Sequence, residues 1–286
     1  MLAAQWPFLL LRLGRRGSTL KYGEYRFEGP ISALEVYRKL ERGEVFYHSL
    51  TLPEGYTAVE MADAAAATGL LSRQEFLLAA GRGELIRDLA PRAMTLEGFL
   101  FPDTYRLTRQ TTAPELIEQM LRRFREVYAE LRASRPQAPP PWETVILASL
   151  VEEETAVESE RPLVASVFRN RLRIGMPLQC DPTLVYVLQQ AGRYRGTLYK
   201  DDLELRSAYN TYRNQGLPPG PISNPGRAAL AAAMAPSESG YLYFVADNKG
   251  GHVFSADIDR HSQAVAGYRR ANSHNARPQP RHGRRR

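Results

Sequence analysis

The chain has 286 residues, of which 43% are hydrophobic and 24% are charged, so it is long enough for one large domain or two modest ones. Its formal net charge of +7 comes from 38 Lys and Arg against 31 Asp and Glu, but five of the arginines lie in the last ten residues. Without those five the balance is 33 against 31. The rest of the chain is therefore close to neutral, which argues against a nucleic-acid partner.

Residues 1–19 form an N-terminal segment of their own. Their apolar run, residues 2–13 (LAAQWPFLLLRL), is shorter than the roughly 20 residues that cross a bilayer. The arginines follow this run, whereas a signal peptide carries its positive charges in front of it. We therefore predict that this run is an amphipathic segment that packs on the rest of the protein.

Residues 20–92 repeat one pattern three times, in which an extended stretch or loop leads into a capped helix that stops at a glycine. A stretch between the first two helices, residues 45–52 (VFYHSLTL), is rich in strand-forming residues. Strand, helix, helix, strand at this length resembles the LysM fold, which binds N-acetylglucosamine chains; a purely structural role is the alternative. The capping pairs are Ser32 with Glu35, Thr57 with Glu60, and Ser72 with Glu75, and the helices are predicted to end near Gly43, Gly69 and Gly81.

Residues 93–272 are predicted to form a larger domain. A fourth capping pair, Thr112 with Glu115, opens a helix that runs toward Ala133. The stretch 134–141 (SRPQAPPP) is too rich in proline to be helical. Helical patterning then resumes and is followed by short extended segments separated by glycines and prolines.

The expected fold class is α+β. The small LysM-like module at 20–92 comes first, and the larger α+β domain at 93–272 follows it. The basic tail at 273–286 lacks an apolar period and is expected to be disordered.

Three consecutive glutamates lie near the end of a predicted helical stretch, residues 145–157 (VILASLVEEETAV). At about 100° per residue, Glu154 falls within the apolar stripe, Glu152 points to the opposite side and Glu153 to the flank. Desolvation should raise the pKa of Glu154 and keep a proton available near neutral pH, as a general acid requires. The alternative places Glu154 at the edge of the core, paired to an arginine. The apolar residues of the stripe are Ile146, Leu147, Leu150 and Val157.

Residues 148–155 (ASLVEEET) resemble the ASIIEKET-type signature of the endolytic murein transglycosylase family (MltG/YceG-like). With a GEYRF element at 23–27, the resemblance covers most of residues 20–270, because six further motifs follow in the family's order and close to its spacing. In the family the second of two glutamates separated by one residue is catalytic, which corresponds to Glu154 here. The motifs are VASVFRNRLRIGM at 164–176, LQCDPT at 178–183, AYNTY at 208–212, GLPPGPI at 216–222, NPG at 224–226 and YLYFVAD at 241–247.

The resemblance implies a lyase that cuts the MurNAc-GlcNAc bond within peptidoglycan glycan strands and leaves 1,6-anhydro-MurNAc ends, which would terminate the growth of a nascent strand. The sugar's own 6-hydroxyl attacks the anomeric carbon, so one carboxyl group can suffice where most glycosidases use two. Glu154 would protonate the glycosidic oxygen and then accept the proton of that hydroxyl. No cofactor is implied.

The resemblance also implies a cellular location. Relatives carry an N-terminal membrane helix, which implies a single-pass protein of the cell inner membrane with its catalytic domain in the periplasm and with peptidoglycan synthases as partners. This sequence begins in the middle of what would follow that helix. We expect either a start assigned too late or a truncated or soluble form.

Gln179, Asp181, Tyr209, Asn210 and Tyr212 are the candidate substrate-binding residues. Aromatic faces pack on pyranose rings, and an amide can hold an acetamido group. The competing interpretation makes the tyrosines core residues and lets Asn210 close a loop; for Asn210 we favour substrate binding. Asp181 precedes a proline and is expected to cap its own backbone in a turn, the alternative being a second catalytic carboxylate.

Several kinds of site are not indicated. The sequence lacks HExxH, GxSxG, GxxxxGK[ST] and GxGxxG motifs, so we expect neither a metal nor a nucleotide. The single cysteine, Cys180, excludes an internal disulfide; it stands where the family usually has threonine or a similar polar residue, and we expect it to leave the acid untouched. His252 is expected to be a turn or packing residue, and Arg171 to be solvated or ion-paired.

Two other functions fit the same residues. The first is a catalytically silent cell-wall glycan-binding protein that acts through the LysM-like module. The second is a muramidase, a hydrolase that uses Asp181 as its second carboxylate. The chemical nature of the strand ends separates all three.

Overall fold

The computed structural model describes residues 19–275. The predicted amphipathic segment, apart from its last residue, and residues 276–286 of the basic tail lie outside this range. Among the described residues, no helix has the length and apolar character needed to cross a membrane.

The described chain consists of helices and two small antiparallel sheets, so the expected α+β class is confirmed. The sheets pair β1 with β2 and β3 with β4. Three short 3-10 turns lie at Gly83–Ile86, Glu158–Glu160 and Lys200–Glu204. The elements in chain order are α1 Ala33–Arg42, β1 His48–Thr51, α2 Ala58–Ala67, α3 Arg73–Ala80, β2 Thr104–Leu107, α4 Ala113–Ala133, α5 Pro141–Glu154, α6 Arg161–Arg173, α7 Asp181–Gln190, α8 Arg227–Met234, β3 Tyr243–Ala246, β4 His252–Ser255 and α9 Ile258–Asn275.

The predicted helix caps are present. The boxes at the starts of α1, α2 and α4 are complete, with the hydroxyl of the first residue accepting from the backbone and the glutamate reaching back. At α3 the Ser72 hydroxyl accepts from the Glu75 amide, and the reverse bond is absent. Helix α1 stops at Gly43, whose φ of 69° is left-handed, because glycine adopts this conformation without a steric cost.

The strand, helix, helix, strand order occurs at residues 48–107, later in the chain than the predicted module at 20–92. Strand β1 pairs with β2, so that His48 lies opposite Leu107 and Thr51 opposite Thr104. The hydrophobic core is also continuous from Leu50 to Met234. The division at 92/93 therefore falls between two paired strands and stays a prediction from sequence alone.

Helix α5 is the centre of the larger part of the fold. Residues 144–151 are all buried, and the helix packs against α6, α7 and α8. The prediction of one apolar stripe is therefore wrong, because neighbours cover α5 on every side. The helix ends at Glu154, and Thr155 is extended with φ −146° and ψ 129°, so Val157 lies outside the helix.

A close backbone approach fixes the segment before β2 against α5. Gly98 has φ +86°, and a Cβ atom there would lie 2.5 Å from Pro221 Cγ and 2.8 Å from Val145 Cγ1. Only glycine fits such a position without a shift of the surrounding chain.

The C-terminal hairpin of β3 and β4 packs on α9, and β3 also contacts α6. The Asn170 amide donates to the carbonyl oxygens of Ser239 and Tyr241 at 2.9 and 3.0 Å. Arg171 Nε donates to the Leu242 carbonyl at 2.7 Å, and both side chains are buried. The expectation that Arg171 is solvated or ion-paired is therefore wrong: it binds backbone carbonyls and anchors the hairpin.

Candidate active site

Glu154 lies where two pockets meet. It is the last residue of α5 and is partly exposed. It lines a larger pocket of about 700 Å³ and a smaller pocket of about 280 Å³. The larger pocket is bounded by the loop before α2 and by α7, and the smaller one by the loop before α7 and by the hairpin. A chain molecule could therefore contact this carboxyl group with parts on both sides.

The surroundings of Glu154 keep its carboxyl group protonated near neutral pH. Its pKa is raised from 4.5 to about 7, and burial is the largest cause. The carboxylate of Asp181 also raises the pKa, whereas a hydrogen bond from the Cys180 thiol and the charges of His252 and Arg171 lower it. Desolvation favours the uncharged form because the ion loses its hydration. Cys180 therefore acts on Glu154, and the expectation that it leaves the acid untouched is wrong.

Glu152 is held in a buried ion pair instead of facing solvent. Its side chain is 6% exposed, and its Oε1 accepts from Arg161 Nη2 at 2.6 Å. The other oxygen, Oε2, accepts from the Gly226 amide at 2.9 Å. Burial raises the pKa of Glu152, whereas the Gly226 amide and Arg161 lower it. The predicted orientation of Glu152 is therefore wrong.

Glu153 matches its predicted place on the flank of the helix. It is exposed and lines the larger pocket beside Glu60 and Glu54. Burial raises the pKa of Glu153 to about 7 as well. Contact with both pockets therefore distinguishes Glu154 from the other two glutamates.

Three of the five predicted substrate-binding residues line the smaller pocket with Glu154: Gln179, Asp181 and Tyr212. The Tyr212 hydroxyl donates to Asp181 Oδ1 at 2.5 Å, so the carboxylate is bound by a side chain and the predicted cap of its own backbone is wrong. Asp181 is the first residue of α7. Gln179 has a left-handed φ of 49°, a conformation that non-glycine residues adopt uncommonly.

Asn210 and Tyr209 do not line either pocket. Asn210 is fully buried, and its amide donates to the carbonyl oxygens of Leu203 and Leu205 at 2.9 and 2.8 Å. Its Oδ1 accepts from the Tyr212 amide at 3.0 Å. The position of Asn210 thus favours the loop-closing alternative, in which it holds Tyr212 at the pocket.

The YceG-like family model matches residues 1–267 of the chain. The chain belongs to the YceG-like family. Among relatives of this YceG-like chain, a protein of Bacillus subtilis strain 168 named endolytic murein transglycosylase is 32% identical over 271 residues, which cover 88% of this chain and 74% of that protein. A protein of Streptococcus pneumoniae strain D39 with the same name is 31% identical, and the match covers 86% of this chain and 50% of that protein.

A solved structure shares the fold of this YceG-like chain. It is the 2.6 Å crystal structure of a yceG-like protein from Listeria monocytogenes, with a TM-score of 0.66 and 30% sequence identity. The similarity covers 91% of this chain and 90% of that one. The family recognised from the sequence motifs is therefore confirmed.

The sequence analysis missed the residues with which α7 lines the larger pocket of this YceG-like chain. Pro182, Val185, Tyr186 and Gln189 all face that pocket. Their spacing of three, four and seven residues is that of one helix face. The spacing could have revealed them once residues 181–190 were recognised as a helix. Tyr56, on the opposite side of the pocket, lies in a loop and has no such signal.

A buried carboxyl group, Glu97, was also missed. It accepts from the Ala58 amide at 3.0 Å and from Asn224 Nδ2 at 2.8 Å. Asn224 in turn donates its backbone amide to the Tyr56 carbonyl at 3.0 Å and accepts from Gly55 at 3.0 Å. Burial raises the pKa of Glu97 to about 8, opposed by the bonds from Ala58 and Asn224. Glu97 thus fixes the loop that carries Tyr56 at the rim of the pocket.

His252 joins the hairpin to the segment before α6. Its Nδ1 lies 2.7 Å from Glu160 Oε2, and its backbone amide donates to Glu160 Oε1 at 3.0 Å. The ring also packs edge-on against Phe244, which lines the smaller pocket. In residues 19–275 of this YceG-like chain, no group of histidine, cysteine and acidic side chains is arranged to hold a metal ion.

Proposed function

We propose that this chain is an endolytic lytic transglycosylase that cleaves the MurNAc-GlcNAc bond of peptidoglycan strands and leaves 1,6-anhydro-MurNAc ends. The relatives from Bacillus subtilis and Streptococcus pneumoniae are named endolytic murein transglycosylase and match 88% and 86% of this chain. One observation carries the proposal: a carboxyl group that burial keeps protonated to about pH 7 lies where two pockets meet.

The reaction needs one proton donor that later becomes an acceptor. Glu154 first protonates the oxygen of the glycosidic bond as the bond to the anomeric carbon breaks. The 6-hydroxyl of the same sugar then attacks the anomeric carbon, and the Glu154 carboxylate takes its proton. The enzyme ends in the protonated state in which it began, and no water is consumed. One carboxyl group at the junction of two pockets is sufficient for this sequence.

The decisive experiment replaces Glu154 with glutamine and analyses the products of purified glycan strands by mass spectrometry. Glu154→Gln cannot give up a proton, and we expect it to abolish 1,6-anhydro ends, with a loss of at least about 10²–10⁴-fold in rate. Its circular dichroism spectrum should match that of the wild type. The matched control is Glu143→Gln, an exposed glutamate in the first turn of the same helix, which should cut at the wild-type rate.

The same analysis separates the competing functions. Reducing ends in place of anhydro ends would identify a muramidase, and Asp181 is the residue to test because its carboxylate shares the smaller pocket with Glu154. Unchanged strands with wild-type protein, together with binding that survives Glu154→Gln, would identify a non-catalytic glycan-binding protein.

The roles of the pocket residues and of the chain's parts belong to the same proposal. Gln179, Asp181 and Tyr212 would contact the sugars in the smaller pocket. The strand-helix-helix-strand part would act as a LysM-like glycan-binding unit within the larger fold. We further propose a place at the periplasmic face of the inner membrane beside peptidoglycan synthases, as the family resemblance implies. Co-purification with a synthase from membranes tests this last point.

A further inference from the structure

A third cavity continues the larger pocket away from Glu154. It has a volume of about 410 Å³ and lies between the first turn of α2, the start of α3 and the C-terminal end of α7. Thr57, Glu60 and Gln189 line both this cavity and the larger pocket. Because three residues are shared, the two hollows form one continuous groove along the surface.

One wall of this cavity is held rigid by the cap of α2. Glu60 Oε2 accepts from both the backbone amide and the hydroxyl of Thr57 at 2.8 Å. The Glu60 amide donates back to Thr57 Oγ1 at 3.2 Å. Side chains fixed in this way lose little conformational freedom when a ligand binds, so the wall is preorganised.

The other side of the cavity offers groups that suit an N-acetylated sugar with a charged substituent. Gln189 and Gln190 are exposed, and each amide can both donate and accept a hydrogen bond. Arg73 is the basic residue among the described residues that line the cavity. Its Nε lies 2.5 Å from Asp63 Oδ1, but both side chains are about half exposed. A pair this exposed is weak, so a ligand carboxylate can compete for the guanidinium.

The groove is unequal on the two sides of Glu154. The smaller pocket on one side has about 280 Å³, whereas the larger pocket of about 700 Å³ and the third cavity lie on the other. A polymer bound across Glu154 would thus be held along a longer stretch on the side of α2 and α7.

We propose that the cavity lined by Arg73, Gln189 and Gln190 is a distal glycan subsite. It binds an N-acetylated hexosamine of the strand through the two amides and a carboxylate of the attached peptide stem through Arg73. By holding the strand at a fixed distance from Glu154, it sets how far from one end the strand is cut. This inference rests on the proposed function, because it assumes that peptidoglycan strands occupy the groove.

The test measures binding, so that it does not depend on catalysis. In a Glu154→Gln background, we expect Gln190→Ala and Arg73→Ala each to weaken the Kd for long uncrosslinked strands by about three- to tenfold, the effect of one hydrogen bond or ion pair. The Kd for fragments of two disaccharides, which fill fewer positions along the groove, should change less. Gln74→Ala is the matched control, because Gln74 is an exposed neighbour of Arg73 that does not line the cavity.

Strands whose stem carboxylates are blocked as amides test the role of Arg73 separately. With these strands, the effect of Arg73→Ala should disappear and that of Gln190→Ala should persist. In the catalytically active protein, Gln190→Ala should broaden the distribution of fragment lengths.

Two outcomes would overturn the subsite. In the first, the variants weaken the binding of long and short strands by the same factor; in the second, they leave the binding of long strands unchanged. Failure of the proposed function looks different, because the wild-type protein would then produce no 1,6-anhydro ends, whatever the length dependence of binding.

Discussion

Glu154 is tuned by neighbours that act in opposite directions. Burial and the Asp181 carboxylate raise its pKa, and the Cys180 thiol, His252 and Arg171 lower it. The net pKa of about 7 suits a group that must give a proton and take one back, since an acid–base catalyst works best when its pKa lies near the working pH. Each neighbour can be removed singly, and each removal moves the pKa in a known direction.

The pH profile of cleavage should report these neighbours. With Glu154 as the proposed acid, only its protonated form is active, so kcat/KM should fall as the pH rises through about 7. Cys180→Ala removes a hydrogen bond to the carboxylate and should move this fall to higher pH. Asp181→Asn removes a nearby negative charge and should move it to lower pH. A shift in the same direction for both variants would contradict the assignment of Glu154.

At the scale of the element, the end of α5 is fixed by a buried ion pair. Glu152 bonds to Arg161 at the start of α6 and to the Gly226 amide before α8, so one carboxylate joins three helices two residues before Glu154. The packing of α5 also depends on Gly98, because the lack of a side chain there lets the backbone approach Val145 and Pro221. The position of Glu154 thus depends on contacts that no local sequence pattern specifies.

Loss of the Glu152 charge should lower both stability and rate. Removing one partner of a buried ion pair costs about 3–5 kcal/mol, so Glu152→Gln should reduce the free energy of unfolding by about that amount in urea denaturation. It should also lower kcat because Glu154 loses its support, with little change in KM. The control is Glu130→Gln, which breaks an exposed pair with Arg227 and should cost less than about 1 kcal/mol. Equal costs for the two variants would show that the buried pair has no special role.

Substitution of Gly98 should destabilise the fold more than substitution of an unobstructed glycine. Gly98→Ala places a methyl group within 2.5 Å of Pro221 Cγ, and overpacking of this kind typically costs about 1–3 kcal/mol in addition to the left-handed backbone strain. Gly175 also has a left-handed backbone, with φ +69°, but no atom lies within 4 Å of an added Cβ. Gly175→Ala should therefore lower the free energy of unfolding by the backbone strain alone, about 1–2 kcal/mol. Urea denaturation of both variants measures the difference.

At the scale of the whole molecule, buried carboxyl groups make the stability depend on pH. Burial raises the pKa of Glu97 from 4.5 to about 8 and those of Glu153 and Glu154 from 4.5 to about 7. Between these limits the folded protein binds more protons than the unfolded chain. Stability must therefore fall as the pH rises across this window.

The thermal midpoint should thus decrease when the pH is raised from about 5 to about 8, the window that these two pKa values define. Glu97→Gln removes the group with the highest of these pKa values and should make the decrease smaller between pH 7 and 8. A midpoint that rises across the window, or a slope that Glu97→Gln leaves unaltered, would show that Glu97 is not buried in its protonated form.

Local features were predictable from the sequence, and features that join distant segments were not. The caps at Ser32, Thr57 and Thr112 depend on residues three apart, and the structure contains all three. Glu154 was found from its motif. Its assignment to an apolar stripe at about 100° per residue assumed an amphipathic helix, whereas residues 144–151 of that helix are all buried. The environment of Glu97 depends on Asn224, 127 residues away, and no periodicity links two such positions.

The pairing of β1 with β2 also decides where the chain can be divided. Of the two strands, only β1 lies before residue 92, and β2 begins at Thr104. A fragment that stops at 92 would leave the backbone groups of His48–Thr51 without their ladder and expose Leu50 and Leu52, which are buried in the intact protein. An expression clone intended to isolate the strand-helix-helix-strand part should therefore extend past Leu107, since a shorter one leaves the edge of β1 unpaired and free to associate with another chain.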